Sequence, residues 1–297
     1  MKVNLISFLI AITALCSCTS KHSENKGIQT LVKTQQSELF DSADVKSYIG
    51  FVNRYYFQKT DEFYVDLYFK RTGISNKDYD RIANTHDSVI YKDDENRRCR
   101  IPLKIAGQEF DVTGIETLTL FDKNHKMLTK AHFVRVEYLD QTISPVFTAV
   151  YKAENTRLAA KALYCIGNLT DKVVADKYTS FEDTLLTKEI AQKMGCTHKY
   201  TLEGKHYRNK DHQISISVIN SDTTVLIVEK KNNSYKCLYK SHEPENINDI
   251  VFIPVIRNSR PVLLTKSFVP DTDVEWNSLL IFDGNIYKPS DRQRIQK

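Results

Sequence analysis

The sequence predicts an α+β fold dominated by antiparallel sheet. Three observations carry that prediction. Apolar and polar residues alternate with period two in most segments after residue 60. The turns between such runs are two to four residues long, as in Asp140-Gln141 and Asp122-Lys123-Asn124-His125. A parallel crossover needs a dozen residues or more, so these spacings favour hairpins and meanders. Helical spacing, finally, is confined to a few segments.

In chain order, Val45, Ile49, Val52 and Tyr56 fall on one helical face, which predicts a helix over Asp41–Phe57 capped by Ser42. Phe63, Val65, Leu67 and Phe69 then alternate with Tyr64, Asp66 and Tyr68, so the period switches to that of a strand. Asn76–Ala83 reads as a short helix. The mixed charges of Lys92–Arg98 read as a solvated loop. Strands are expected at Arg100–Ile105, Phe110–Val112, Thr117–Phe121, Ala131–Leu139 and Val146–Tyr151, with Ala106-Gly107-Gln108 as a turn. Residues 153–167 fit either helix or strand.

Ser180–Met194 carries Leu186, Ile190 and Met194 at four-residue spacing. Ser180 and Asp183 resemble a capping box, and Gly195 is placed to stop the helix. A second β series follows at His212–Ile219, Thr223–Glu229, Tyr235–Lys240, Ile250–Ile256, Pro261–Phe268 and Trp276–Phe282. Asp283-Gly284 signals a last hairpin. Both halves thus run helix, then strands. They read either as two α+β domains, 41–167 and 175–297, or as one continuous domain. The last third is also compatible with a propeller, although no blade motif recurs at a fixed period.

The 297 residues are 41% apolar and 27% charged, ordinary for a folded globular chain and too apolar for a disordered one. The net charge of +5 is small and dispersed, so no nucleic-acid partner is implied.

The N-terminus carries an address. Met1-Lys2-Val3-Asn4 precedes an apolar run from Leu5 to Cys16, which is 12 residues long. About 20 are needed to span a bilayer, so the run has the length of a signal-peptide core, cleaved after residue 17. It ends in Leu15-Cys16-Ser17-Cys18. These four residues resemble the lipobox of bacterial membrane-anchored lipoproteins, with Leu at −3, a small residue at −1, and Cys18 as the residue that becomes lipidated. Choosing Cys16 instead would put Leu15 where a small side chain is wanted. The resemblance covers only this end and implies palmitate-class acyl chains on Cys18. Each buried methylene contributes about 0.8 kcal/mol to holding them in a leaflet. Residues 18–40 then form a polar tether. By the same resemblance, Thr19 after the cysteine implies sorting to the outer membrane, with the body in the periplasm.

Six cysteines are present. Beyond Cys16 and Cys18, the body holds Cys99, Cys165, Cys196 and Cys237. In an oxidising compartment these form up to two disulfides, and the sequence does not choose the pairing. Four buried thiols are the alternative.

The search for chemistry finds little. There is no GxG, P-loop, GxSxG or HExxH. SxxK occurs once, from Ser23 to Lys26, without its partner motifs. Cys196, His198, His206 and His212 are good metal-ligand types. Their spacing fits no zinc pattern, however, and Lys199, Lys205, Arg208 and Lys210 surround them. Asp271, Asp273 and Glu275 place carboxylates at alternate positions and could wrap a calcium ion in a loop. His132 shares a strand face with Val134, Val136 and Tyr138, as a core histidine would. Tyr55, Tyr56, Tyr64 and Tyr68 cluster early, either as sheet residues or as a recognition surface. The basic tail, Arg292, Arg294 and Lys297, reads as solvated.

No cofactor and no catalytic set are expected. The function that follows is a non-enzymatic envelope lipoprotein, held in the membrane by its lipid and binding a protein partner. One specific form is a toxin-immunity or inhibitor protein, and another is an accessory subunit of an envelope complex. The alternative is an envelope hydrolase acting on glycan or peptidoglycan.

Overall fold

The computed structural model describes residues 48–290 apart from 72, 113, 142–144, 169–177, 197–200, 211–214, 223, 233, 242–243 and 273. The chain divides into units 1–43 and 44–297, and every described residue belongs to the second. The signal, Cys18, the tether, His198, His212, Asp273 and the basic tail lie outside the described residues. Within them, every strand pairing is antiparallel, and strand dominates over four helices. No described helix is long and apolar enough to cross a membrane.

The first half begins with β1 (Tyr48–Phe51), β2 (Glu62–Asp66) and β3 (Tyr68–Phe69). Helix α1 (Asn76–Asn84) follows, started by Ser75, whose side chain accepts from the Asp78 N–H at 3.1 Å. Then come β4 (Ser88–Lys92), β5 (Asn96–Ile101), α2 (Leu103–Glu109), β6 (Phe110–Asp111) and β7 (Thr117–Phe121). The long β8 (Met127–Gln141), β9 (Val146–Ala153), α3 (Thr156–Ala159) and β10 (Tyr164–Gly167) complete it.

Six of these strands pair in a closed circuit. The order is β1-β10-β7-β8-β9-β2. Reciprocal Asn53–Tyr64 backbone bonds of 2.9 Å return β2 to the end of β1. The circuit holds Tyr48, Phe63, Val65, Phe133, Tyr151 and Cys165, all buried. Phe63 and Tyr151 face each other in register with rings 5.6 Å apart. Burying an aromatic of this size contributes roughly 1.5–3 kcal/mol. β8 carries β9 on one edge, and β7 then β5 on the other; β4 hangs from β5 as the end of the sheet.

The second half supplies β11 (Tyr178–Phe181), α4 (Thr184–Lys193), β12 (Leu202–Asn209), β13 (Ser215–Ser221), β14 (Val225–Lys231) and β15 (Ser234–Lys240). These five strands form one meander. The next sheet is β16 (Asn246–Arg257), β17 (Arg260–Phe268), β18 (Glu275–Phe282) and β19 (Tyr287–Pro289).

Alternation along β16 explains how the layers stack. Val251, Ile253 and Val255 pack on Ile49, Phe51, Phe121, Tyr164 and Ile166, on the outer wall of the circuit. Ile250 and Phe252 point the other way, onto Tyr207, Ile216, Val218 and Ile227 of the five-stranded sheet. α4 covers that sheet's far face through Ile190, against Ile219, Leu226 and Val228. A Cβ on Gly204 would collide with the Thr187 side chain, so α4 sits where only glycine lets it.

Several expectations are corrected. Residues 48–51 are strand, not part of a helix over Asp41–Phe57. All four are buried on both faces, which erases the period-two signal, and their pairing with β10 overrides the helical spacing. Lys92–Arg98 is not a solvated loop. It is a tight turn with Asn96, Arg97 and Arg98 already in β5. The strand at Arg100–Ile105 ends at Ile101, and Ala106-Gly107-Gln108 is helix, because Pro102 supplies an N-terminal φ of −56° for α2. His132 is exposed and bonded to Glu154 at 3.0 Å. A bulge between Phe133 and Arg135 shifts the phase of β8, so the face read from the sequence is not continuous. Ser180 is strand, and Asp183 alone caps α4 by accepting from Leu186 N–H at 2.9 Å.

Candidate functional site

Just past the β8 bulge, Arg135 and Glu137 meet Glu62 of β2 and Arg98 of β5. Arg98 and Glu137 side chains are 1% and 0% exposed. Arg98 donates Nε to Glu137 Oε2 and Nη2 to Glu137 Oε1, both at 2.8 Å, and Nη2 also reaches Glu62 Oε2 at 3.1 Å. Arg135 donates to Glu137 at 2.6 Å and to both Glu62 oxygens at 2.7 and 2.6 Å. Two guanidinium groups thus meet two carboxylates in fork geometry, and the buried charges balance. Bonds from Arg135 hold the Glu62 carboxyl below the usual carboxylate range. Burial opposes charge on Arg98, yet the bonds to Glu137 keep its guanidinium above its ordinary value.

This network fixes the segment that crosses it. The Tyr55 ring lies 3.8 Å under the Arg98 guanidinium carbon, and its hydroxyl donates to Glu137 at 3.0 Å. Gln58 accepts from Arg98. Between these two anchors the chain presents Tyr56 and Phe57. Phe57 stacks on Tyr91 of β4 with centroids 5.2 Å apart, and Tyr56 stands edge-on to it at 5.1 Å. The Tyr56 hydroxyl donates to Asn96 at 3.0 Å, although the residue is 72% exposed. The result is a row of rings, Tyr64, Tyr55, Phe57 and Tyr91, ending on β4.

Among the described residues β4 pairs only with β5, so one of its edges is open. It also exposes apolar side chains, with Val89 51% and Ile90 36% accessible. A bulge between Val89 and Tyr91 kinks it. Beyond its end lies a shallow concavity of about 360 Å3, lined by Lys92, Asp93, Asp94, Glu95, Asn96, Arg97, Asp140 and Gln141. Four carboxylates there outnumber two cations in a chain that is basic as a whole. The Tyr91 hydroxyl and the Glu95 N–H hold the Asp93 carboxyl below its ordinary value. Arg97 is paired with Asp140 at 3.0 Å.

The sites read from the sequence fare differently. Asp271 is exposed on a turn at φ +61°, and Glu275 is paired with Lys266 at 2.9 Å. Among the described residues no three His, Cys, Asp or Glu gather to hold a metal ion. His206 is buried between Ser217, 2.8 Å from Nδ1, and Thr187, 2.9 Å from Nε2. Burial lowers its pKa. Cys99, Cys165, Cys196 and Cys237 are all free thiols. Of the early tyrosines, Tyr55 and Tyr68 are buried and Tyr56 is the exposed one.

Sequence reasoning missed the Arg98 network and the β4 edge. The mixed charge of Lys92–Arg98 concealed both. The available signal was Ser88-Val89-Ile90-Tyr91, a short β-branched and aromatic run. No protein-family model, curated protein or solved structure matches the chain.

Proposed function

We propose that this chain is a lipid-tethered binding protein that captures an extended, positively charged segment of a partner protein along β4. The observation that carries the reading is an open edge strand exposing Val89 and Ile90 beside an anchored aromatic row. An open edge offers unpaired backbone N–H and C=O groups, and an extended peptide adds to it as a further strand. The rings give rigid contact area at low entropic cost. The excess of carboxylates beside the strand favours a Lys or Arg on the incoming segment.

In this reading Cys18 carries the lipid, the body belongs to the α+β class, and it works in the periplasm from the outer membrane. Its most specific form is an immunity or inhibitor protein, for which a stiff, preformed edge suits tight capture of a toxin.

The test is selection of displayed 12-residue random peptides on the purified chain. Enriched sequences should alternate apolar and other residues and carry Lys or Arg. Val89→Lys and Ile90→Lys should each weaken their binding at least about tenfold, while Lys236→Glu should not. No enrichment, or enrichment that survives both β4 changes, would overturn the proposal. The tether has its own check. Membrane-extracted protein should carry a diacylglyceryl mass on Cys18, and Cys18→Ala should release the chain or stall it as a precursor.

A further inference from the structure

The four thiols of the body are not equivalent. Cys99 and Cys165 have no exposed surface. Cys99 faces Tyr138 of β8, whereas Cys165 faces Leu120, which in turn faces Thr129 of β8. Nine residues of β8 separate those two levels, a span of about 30 Å at 3.3 Å per residue. A disulfide needs Cα atoms within about 7 Å, so this pair cannot close. Cys165 also sits inside the strand circuit, with its thiol on the Gly50 carbonyl at 3.5 Å.

Cys196 and Cys237 lie elsewhere, and together. Cys196 follows the end of α4, where Gly195 turns the chain at φ +67° and the Cys196 N–H bonds the Ala191 carbonyl at 2.9 Å. Cys237 is in the middle of β15, opposite Val228. Both pack on the rim of one small apolar cluster, Ile190, Ile219, Leu226 and Val228. Both are partly exposed. Burial raises each thiol, and the Lys240 ammonium opposes that rise in both. Cys237 lies close enough to Cys196 for its charge to act on it.

We infer that Cys196 and Cys237 are the redox pair of this chain, closing a disulfide that fastens the end of α4 to the edge strand β15. The oxidant is a protein or small-molecule disulfide. One thiolate attacks a sulfur of that disulfide, forming a mixed disulfide and releasing the first thiol. The second thiolate then attacks the mixed bond, closes the Cys196–Cys237 bridge and releases the second thiol. The two protons lost by the protein thiols are taken up by the two released thiolates, so the pair is oxidised and the oxidant is reduced to two thiols. Cys99 and Cys165 stay as buried apolar residues.

The experiment uses the full chain, purified reduced and then exposed to oxidised glutathione. Proteolysis and mass spectrometry should give one crosslinked peptide pair, containing Cys196 and Cys237, lighter by two hydrogens than the reduced peptides. Cys99 and Cys165 should label with a maleimide only after denaturation. The oxidised protein should melt about 5–10 °C higher, as expected for closing a loop of this length, and a reductant should reverse the gain. Cys196→Ser and Cys237→Ser should each remove the gain, with the double variant no worse than either. A bridge to Cys99 or Cys165, or Cys196 and Cys237 both remaining alkylatable after oxidation, would overturn the inference.

Discussion

Two edge strands of this molecule, β4 and β15, end their sheets in opposite ways. β15 turns Ser234, Lys236 and Lys240 to solvent and buries Leu238 and Tyr239. Lysines on an edge discourage pairing with another chain. β4 leaves Ser88, Val89, Ile90 and Lys92 exposed and has an aromatic row against its end. Its bulge and flanking charges limit indiscriminate pairing without covering the apolar residues. The contrast teaches that edge protection is selective here. One edge is closed to contact, and the other is kept open on a fixed foundation.

The foundations differ as well. Beside β4 lies a four-member network with its carboxylate Glu137 fully buried. In the second half, Arg260 donates to both oxygens of Glu229, with side chains 19% and 6% exposed. Arg260 of that pair packs on the buried Phe282 ring, and the pair braces β14 against β17.

The largest expected effect tests the first foundation. Glu137→Ala leaves Arg98 and Arg135 facing one another with only Glu62 between them. It should cost about 3–5 kcal/mol in denaturant unfolding and abolish peptide capture. The Arg98→Met, Glu137→Leu double variant should recover most of that stability but not the binding. Recovered binding would detach the network from the site. Next in size, Arg260→Met strands the Glu229 carboxylate and should cost about 2–4 kcal/mol, with peptide affinity unchanged for the folded fraction.

On the β4 side, Ile90→Lys should shift stability by no more than about 0.5 kcal/mol while weakening binding at least about tenfold. Calorimetry and peptide titration together separate these two effects. The smallest effect concerns pH. Burial lowers the His206 pKa, so the unfolded chain binds the proton more readily. Its contribution is fully present above the unfolded value of 6.5 and is lost as pH falls below it toward the folded value. The melting temperature should therefore drop as pH falls below about 6.5. His206→Gln should flatten that slope, and an unchanged slope would place the proton elsewhere.

Much of the fold is readable from the sequence, and less of the site. Thr117–Phe121 is recovered to the residue, because Thr and Leu alternate along it between polar turns, even though Leu118 to Phe121 are all buried. The short helix expected at Asn76–Ala83 is present as Asn76–Asn84, and its Ser75 cap is seen only in the structure. β1 is lost because strands buried on both faces carry no alternation. His132 is misplaced because a bulge changes phase without a local sequence mark. The network is the hardest case. Glu62, Arg98, Arg135 and Glu137 come from three strands, and Arg98 sits in a charged run that looks solvated. Only pairing across the sheet brings them together. The aromatic cluster at 55–56 is visible in the sequence, but what sets buried Tyr55 apart from exposed Tyr56 is the Arg98 guanidinium over its ring.

The most direct measurement places a benzophenone amino acid at position 90 or position 236 of the full chain, in the cells that make it. After irradiation, the crosslinked peptides are sequenced by mass spectrometry. The account predicts an adduct from position 90 to one protein segment that is extended and bears Lys or Arg, and none from position 236. Equal adducts at both positions, or none at 90, would contradict it.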